Sequence, residues 1–520
     1  MSKNMFALAA LIAILGLPAD AQNPPGDAMA VVRAADAAIG ASKVKSIHYQ
    51  GVDGYVTVYG QSGTSSVQHV WPRYNLKSFS RTIDYDSMSM REEQIHTQGA
   101  WPADEGGGER PIVGERKQVH FYRDGFAWNA NADGSITAAP QDATERMLEI
   151  VMTPHGFIKA ALGAHDLKMD THYESTNSTR KIHALTFKFR DKYPVIGWID
   201  ENNQVTKVTT WFPSPMVGDE YVETRYARYK DYNGFQFGPV IHQSIGIPPD
   251  PSYDFTASTV EVNVPNAAVQ IPAAVRQAGA STAMIQTRQL APGTWLIGGN
   301  GYNSVALEFA NYSAVIEAPL NEARSIAVMN EVRRLIPNKP LRYVVNTHHH
   351  YDIAGGLRGY AAEDVLIVTQ QSNFDDYEAL ATSLHTQMID PDALGRAPRQ
   401  VHYIRVQEHW TMTDGQRNVE IYHVQNQEHS EDMLMAYLPA EKILVEADLF
   451  EAPRPGQQPG ATALNTALLY NIERVRIAPT RIVSIRSGEI PIADFLRVVG
   501  QDKIMPRGQG LDAQLNDMRP

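Results

Sequence analysis

The run Leu341–Val345 reads as a buried strand, and it leads straight into Asn346-Thr347-His348-His349-His350-Tyr351-Asp352-Ile353-Ala354-Gly355-Gly356. Three imidazoles and a carboxylate therefore stand at a strand end, with two glycines just beyond. His348, His350 and Asp352 alternate, a spacing that lets a tight loop aim nitrogen and oxygen ligands at one point. Imidazole and carboxylate suit zinc and neighbouring divalent ions. His349 and Tyr351 lie between those positions, point the other way and read as structural.

The whole chain has no cysteine, so any metal must be held by nitrogen and oxygen. Its 520 residues exceed what one core usually serves, and two domains are expected. The net charge of -12 argues against nonspecific nucleic-acid binding, which needs a basic surface. Lys3, an apolar stretch over residues 5–17 and the small-x-small site Ala19-Asp20-Ala21 predict a secretory signal peptide over residues 1–21. The alternative is an uncleaved N-terminal anchor. No later apolar run is long enough for a transmembrane helix, so a periplasmic or secreted protein without stable membrane insertion is expected.

Residues 28–270 read as mainly antiparallel β. A helix opens the region at residues 28–39. Alternating runs follow, with turn signals at Asp53-Gly54, Asp124-Gly125, Asp133-Gly134 and Asn233-Gly234. A helical insert is expected over residues 142–151, interrupted by Pro154-His155-Gly156, and residues 105–109 read as a loop. The strands from Trp198 to Phe235 resemble the half-open β-barrel of outer-membrane lipoprotein carriers and related periplasmic modules. Their aromatic residues read as core rather than as the lining of a ligand groove. A linker is expected over residues 265–280, where Pro265, Pro272 and several alanines show little periodicity. From residue 283 to 500, strands and helices mix as in an α/β domain, including a helix at residues 375–384. Residues 501–520 form a polar tail.

Three downstream pieces also set polar groups at strand ends. They are Gln427-Glu428-His429-Ser430-Glu431-Asp432, the strand and loop Lys442-Ile443-Leu444-Val445-Glu446-Ala447-Asp448, and Arg481-Ile482-Val483-Ser484-Ile485-Arg486-Ser487-Gly488. With the His348 loop, these resemble the metal-bearing loops of the metallo-β-lactamase fold, an αββα sandwich. The resemblance implies that His348, His350 and His429 hold a first metal, that Asp352 belongs to a second site, and that Asp448 bridges the two. Glu428 and Glu431, flanking His429, read as solvated loop carboxylates.

Two positions depart from that pattern. Ile353 stands where the family's loop has its last histidine. Arg486, with Ser487 as the neighbouring alternative, stands where a C-terminal histidine is expected. A guanidinium 4 Å from a divalent ion would oppose it by about 8 kcal/mol at an effective dielectric of about 20. Arg486 is therefore expected to pair with Asp352 or Asp448.

These residues imply an exported metal-dependent hydrolase acting on a small molecule. It would use one zinc ion or another divalent metal, with Asp352, Asp448 and Arg486 assisting. The alternatives are a catalytically inactive binding protein whose β domain holds an apolar ligand or partner, and a hydrolase acting on a ligand which that domain delivers.

Overall fold

The structure is a computed structural model that describes residues 25–57, 73–101, 114–173, 178–246, 250–278, 285–373, 389–427, 429–452 and 460–505. The expected signal peptide, the 105–109 loop, the 375–384 helix and Glu428 lie outside the described residues.

The N-terminal region is built on one 13-stranded antiparallel sheet. Six strands from Ser46–Thr57 to Ile136–Ala138 form one meander, and five from Lys168–Tyr173 to Gly218–Ala227 form another. Strand Asp250–Val262 joins them by pairing with Ser46–Thr57 on one side and Val240–Ile245 on the other. Asp124-Gly125 and Asn233-Gly234 form two-residue hairpin turns with positive φ at both residues. Asp53-Gly54 behaves differently. Both neighbours of strand Ser46–Thr57 pair on either side of it, so Asp53 (φ 58°) becomes a bulge within one strand.

Helices Pro25–Ile39, Ala143–Val151 and Pro154–Leu162 supply the apolar stripe that covers this sheet. Ala28, Val32, Ala35 and Ile39 recur at helical spacing and are fully buried. Pro154 does not simply end the insert. Thr153 caps Gly156 N, and proline at the first helical position starts a second helix. Phe157 on that helix lies against Gly197, where a Cβ would come within 2.2 Å of the ring. Tyr49, Phe79, Phe237 and Phe255 share the same core. A buried polar network crosses it: Arg81 donates to Glu92 (2.7 Å) and to Glu149 (2.8 Å), and Gln243 donates to Glu149 (2.8 Å). The network fastens helix Ala143–Val151 to strands on both sides of the sheet.

His155 lies wholly buried in the first turn of helix Pro154–Leu162, with Nε2 3.3 Å from the Ile39 carbonyl. Burial pushes its imidazole down to about 4, and nearby Lys159 acts in the same direction. The stabilising neutral form is fully favourable above the free imidazole value of about 6.5 and is lost as pH falls toward the folded value. The unfolding free energy read from urea titrations should thus fall between about pH 6.5 and 4, by on the order of 3 kcal/mol from this group. His155→Gln should flatten that slope; an unchanged slope would assign the acid sensitivity elsewhere.

The segment expected to be a linker follows the N-terminal sheet instead. Ile271 and Val275, the latter on helix Ala273–Gln277, pack against Trp128.

The C-terminal region forms four layers. A seven-stranded sheet (strands Gln286–Ala291 to Tyr403–Val406) faces a six-stranded sheet (His409–Thr413 to Gly488–Pro491). Their apolar side chains interdigitate, among them Val305, Ile316, Val345, Ile421, Val445 and Val483. Helices Glu322–Leu335 and Leu357–Ala362 cover the first sheet, and Ala463–Arg474 and Ile492–Val498 cover the second. Asn321 caps the first of these helices by accepting from Arg324 N.

The two regions also touch. Met216, at the turn between strands Val205–Ser214 and Gly218–Ala227, is 2% exposed and belongs to the core under helix Glu322–Leu335. Asp219 accepts from Ile389 N (3.2 Å), and Lys192 pairs with Asp390. Among the described residues, no helix is long and apolar enough to cross a membrane.

Candidate metal centre

Every predicted ligand stands where a strand ends between the two sheets. Strand Leu341–Val345 delivers the His348 loop, Ile443–Glu446 delivers Asp448, Arg481–Ser484 delivers Arg486, and the loop before Leu434–Leu438 delivers His429. Two backbone ties hold these loops in register. Leu434 N donates to the Thr347 carbonyl (2.7 Å), and Asn303 N donates to the Ile485 carbonyl (2.7 Å). Gly355 and Gly356 let the His loop pack closely against helix Glu322–Leu335 and the segment that leads into it. A Cβ on Gly356 would stand 2.1 Å from Ser325 Oγ and 2.7 Å from the Ala318 carbonyl.

His348, His350, His429 and Asp448 converge, each offering a ligand atom within 4.8 Å of every other. All four are buried. Asp448 Oδ2 lies 3.3 Å from Nε2 of His348 and 3.3 Å from Nε2 of His429. Metal–ligand bonds of about 2.0–2.1 Å in a tetrahedron give an edge of about 3.3–3.4 Å, so the spacing fits a bound ion. Nε2 of His350 is buried without a hydrogen-bond partner, which is costly unless it has a ligand to bind. Burial lowers the pKa of His348 and His350, which favours the neutral imidazole that metals require. Burial alone would raise Asp448, but His348, His429 and Arg486 hold it well below the ordinary carboxylate range.

Asp352 lies outside this group of four. Its Oδ2 accepts from Arg486 Nη2 (2.6 Å) and from the Tyr302 hydroxyl (2.9 Å), while Oδ1 is buried without a hydrogen-bond partner. Arg486 reaches both carboxylates: Nε and Nη2 donate to Asp448, and Nη2 also donates to Asp352. Ile353 is fully buried among the apolar residues between the sheets.

Sequence reasoning missed three residues here. Glu317 follows strand Ser313–Ile316 and is fully buried. It accepts from Thr347 N (3.2 Å), Thr347 Oγ1 (2.5 Å) and Asn346 Nδ2 (3.1 Å), and burial pushes it up to about 7. Thr347 Oγ1 also lies 3.1 Å from His348 Nδ1, so the threonine links Glu317 to a ligand imidazole and leaves Nε2 for the cluster. Glu446 accepts from Leu449 N and Phe450 N and thereby shapes the turn that holds Asp448 at φ 61°. Tyr302 is the third. Its only sequence signal is the glycine-rich turn Gly299-Asn300-Gly301 before it. His349, between the ligands, is bonded to Asp432 (2.9 Å), which Asn373 and Ser430 also hold.

Residues 298–483 match the family model described as the metallo-beta-lactamase superfamily. The C-terminal domain belongs to that superfamily. No curated protein matches the chain. Among solved structures, DIM-1 metallo-beta-lactamase is 14% identical, with a TM-score of 0.30, over 42% of this chain and 96% of its own. A metallo-beta-lactamase from Pontibacter korlensis is 16% identical, with a TM-score of 0.31, over 42% and 98%. The metallo-β-lactamase domain and its His/Asp cluster fit a metal-dependent hydrolase.

Proposed function

We propose that the protein is an exported hydrolase that works with one zinc ion and cleaves an ester, lactam or similar bond of a small molecule. The observation that carries this reading is Arg486, held between Asp352 and Asp448, the two carboxylates that a second metal would need. Its fixed positive charge already offsets part of theirs and opposes a second dication. Burial would lower the guanidinium pKa, but these two carboxylates raise it above its ordinary value.

His348, His350 and His429 would hold the ion, and Asp448 would share the fourth position with a water. A divalent metal there lowers the pKa of a water toward neutrality and polarises a carbonyl or phosphoryl oxygen. Asp352 offers its unpartnered Oδ1 to orient the attacking water and take its proton. Arg486 and Tyr302 hold the other oxygen, Oδ2, in place for that task. Arg486, Tyr302, Asn303 and Ser487 also border a pocket of about 420 Å3, on which a small substrate could meet the guanidinium and the phenol. Export rests on the signal-like residues 1–21.

Elemental analysis of the purified mature chain tests the metal count. About one zinc per chain is expected. Two per chain would refute the role given to Arg486. None after zinc is supplied would favour a binding protein without catalysis.

A further inference from the structure

Tyr302 opens strand Tyr302–Glu308 directly after a tight hairpin, in which Asn300 (φ 57°) and Gly301 (φ 79°) take left-handed conformations. Its neighbour Asn303 is fastened to the Arg486 loop twice, through N (2.7 Å) and Nδ2 (3.0 Å) to the Ile485 carbonyl. The phenol therefore reaches the site from a fixed base. Its hydroxyl donates to Asp352 Oδ2 (2.9 Å) and accepts from Arg486 Nη1 (2.9 Å). The guanidinium carbon lies 5.0 Å from the ring centroid. Burial, and then the Asp352 charge, raise the phenol well above its ordinary value, so it remains a donor.

Asp352 sits on the four-residue helix Tyr351–Ala354, which fixes its backbone but not the rotation of its carboxylate. Arg486 alone would not fix that rotation, because the Nη2 that reaches Asp352 is shared with Asp448. The Tyr302 hydroxyl is the second constraint on Oδ2. It decides which oxygen is tied and which, Oδ1, is left unpartnered.

We propose that Tyr302 is a positioning residue of this site: by holding Oδ2 of Asp352 against Arg486, it presents Oδ1 as the oxygen that handles the attacking water. This rests on the metal-hydrolase reading above. Tyr302 acts through Asp352; its hydroxyl is hydrogen-bonded to Asp352 and Arg486 rather than to His348, His350, His429 or Asp448.

Cobalt(II) bound to the full chain is the probe, read by its visible absorption bands, which respond to the ligand field and its hydrogen-bonded surroundings. Four proteins are compared: wild type, Tyr302→Phe, Asp352→Asn and the double variant. All four should take up about one cobalt, since the four ligands remain. Tyr302→Phe should shift the bands, Asp352→Asn should shift them too, and the double variant should match Asp352→Asn alone. Bands of Tyr302→Phe that superimpose on wild type would overturn the proposal. So would a Tyr302→Phe shift that persists undiminished in the Asp352→Asn background, because the tyrosine would then act by another route. Failure of wild type to bind cobalt is a separate result: it removes the metal-hydrolase reading itself, and this inference with it.

Discussion

His350→Ala should bind zinc at least about 100-fold more weakly than wild type, below what a purified sample retains; even residues that only support a ligand are worth 10–100-fold. His350 has no other evident task. Its Nε2 is buried without a hydrogen-bond partner, and the neighbouring imidazoles depress its pKa further. The metal-free protein should therefore tolerate the change, since an unsatisfied buried nitrogen is removed along with the ring. With zinc at about 1,000 times its Kd, wild type should gain about 4 kcal/mol from ligand linkage, and a variant that binds about 100-fold more weakly no more than about 1.4 kcal/mol. Urea unfolding with and without zinc reads both effects. Equal zinc-induced shifts in the two proteins would show that the ion sits elsewhere.

Arg486→Ala should act in the opposite sense. Without metal it should cost about 3 kcal/mol, the usual scale for removing one partner of a buried ion pair. The Asp448 side chain is 1% exposed and would lose its main cation. Zinc should recover a larger share of stability in the variant than in wild type, because a bound ion takes over the neutralising role. The zinc content should also rise above one per chain once the two carboxylates are free. Arg486→Lys keeps the charge but cannot bridge both carboxylates with a planar fork, so it should fall between the two. A variant whose metal-free stability and zinc content both equal those of wild type would show that Arg486 is a bystander.

Much of the C-terminal domain was legible in the sequence because its strands are short, buried and apolar, and its ligands follow them at once. The His348 loop, His429 and Asp448 could be read as strand-end groups for that reason. Glu317 also ends an apolar strand, but a single carboxylate there looks like the polar boundary of any strand. Its role depends on hydrogen bonds to Asn346 and Thr347, 29 and 30 residues away. Tyr302 was illegible for a similar reason: its partners Asp352 and Arg486 lie 50 and 184 residues along the chain. Asp53-Gly54 misled because the same dipeptide serves a hairpin or a bulge, and only strand pairing decides between them. The segment before residue 278 misled through composition. Its prolines and alanines hid Ile271 and Val275, which bury against Trp128.

Met216 also bears on how such a domain can be reused. The residue comes from the β region yet completes apolar packing in the metallo-β-lactamase domain, with Val217 beside it. A C-terminal half lifted out of this chain would carry an open greasy socket where those side chains had been. It is not a freely portable cassette, and grafting it onto another protein would require bringing the hairpin along or resurfacing the socket with polar residues.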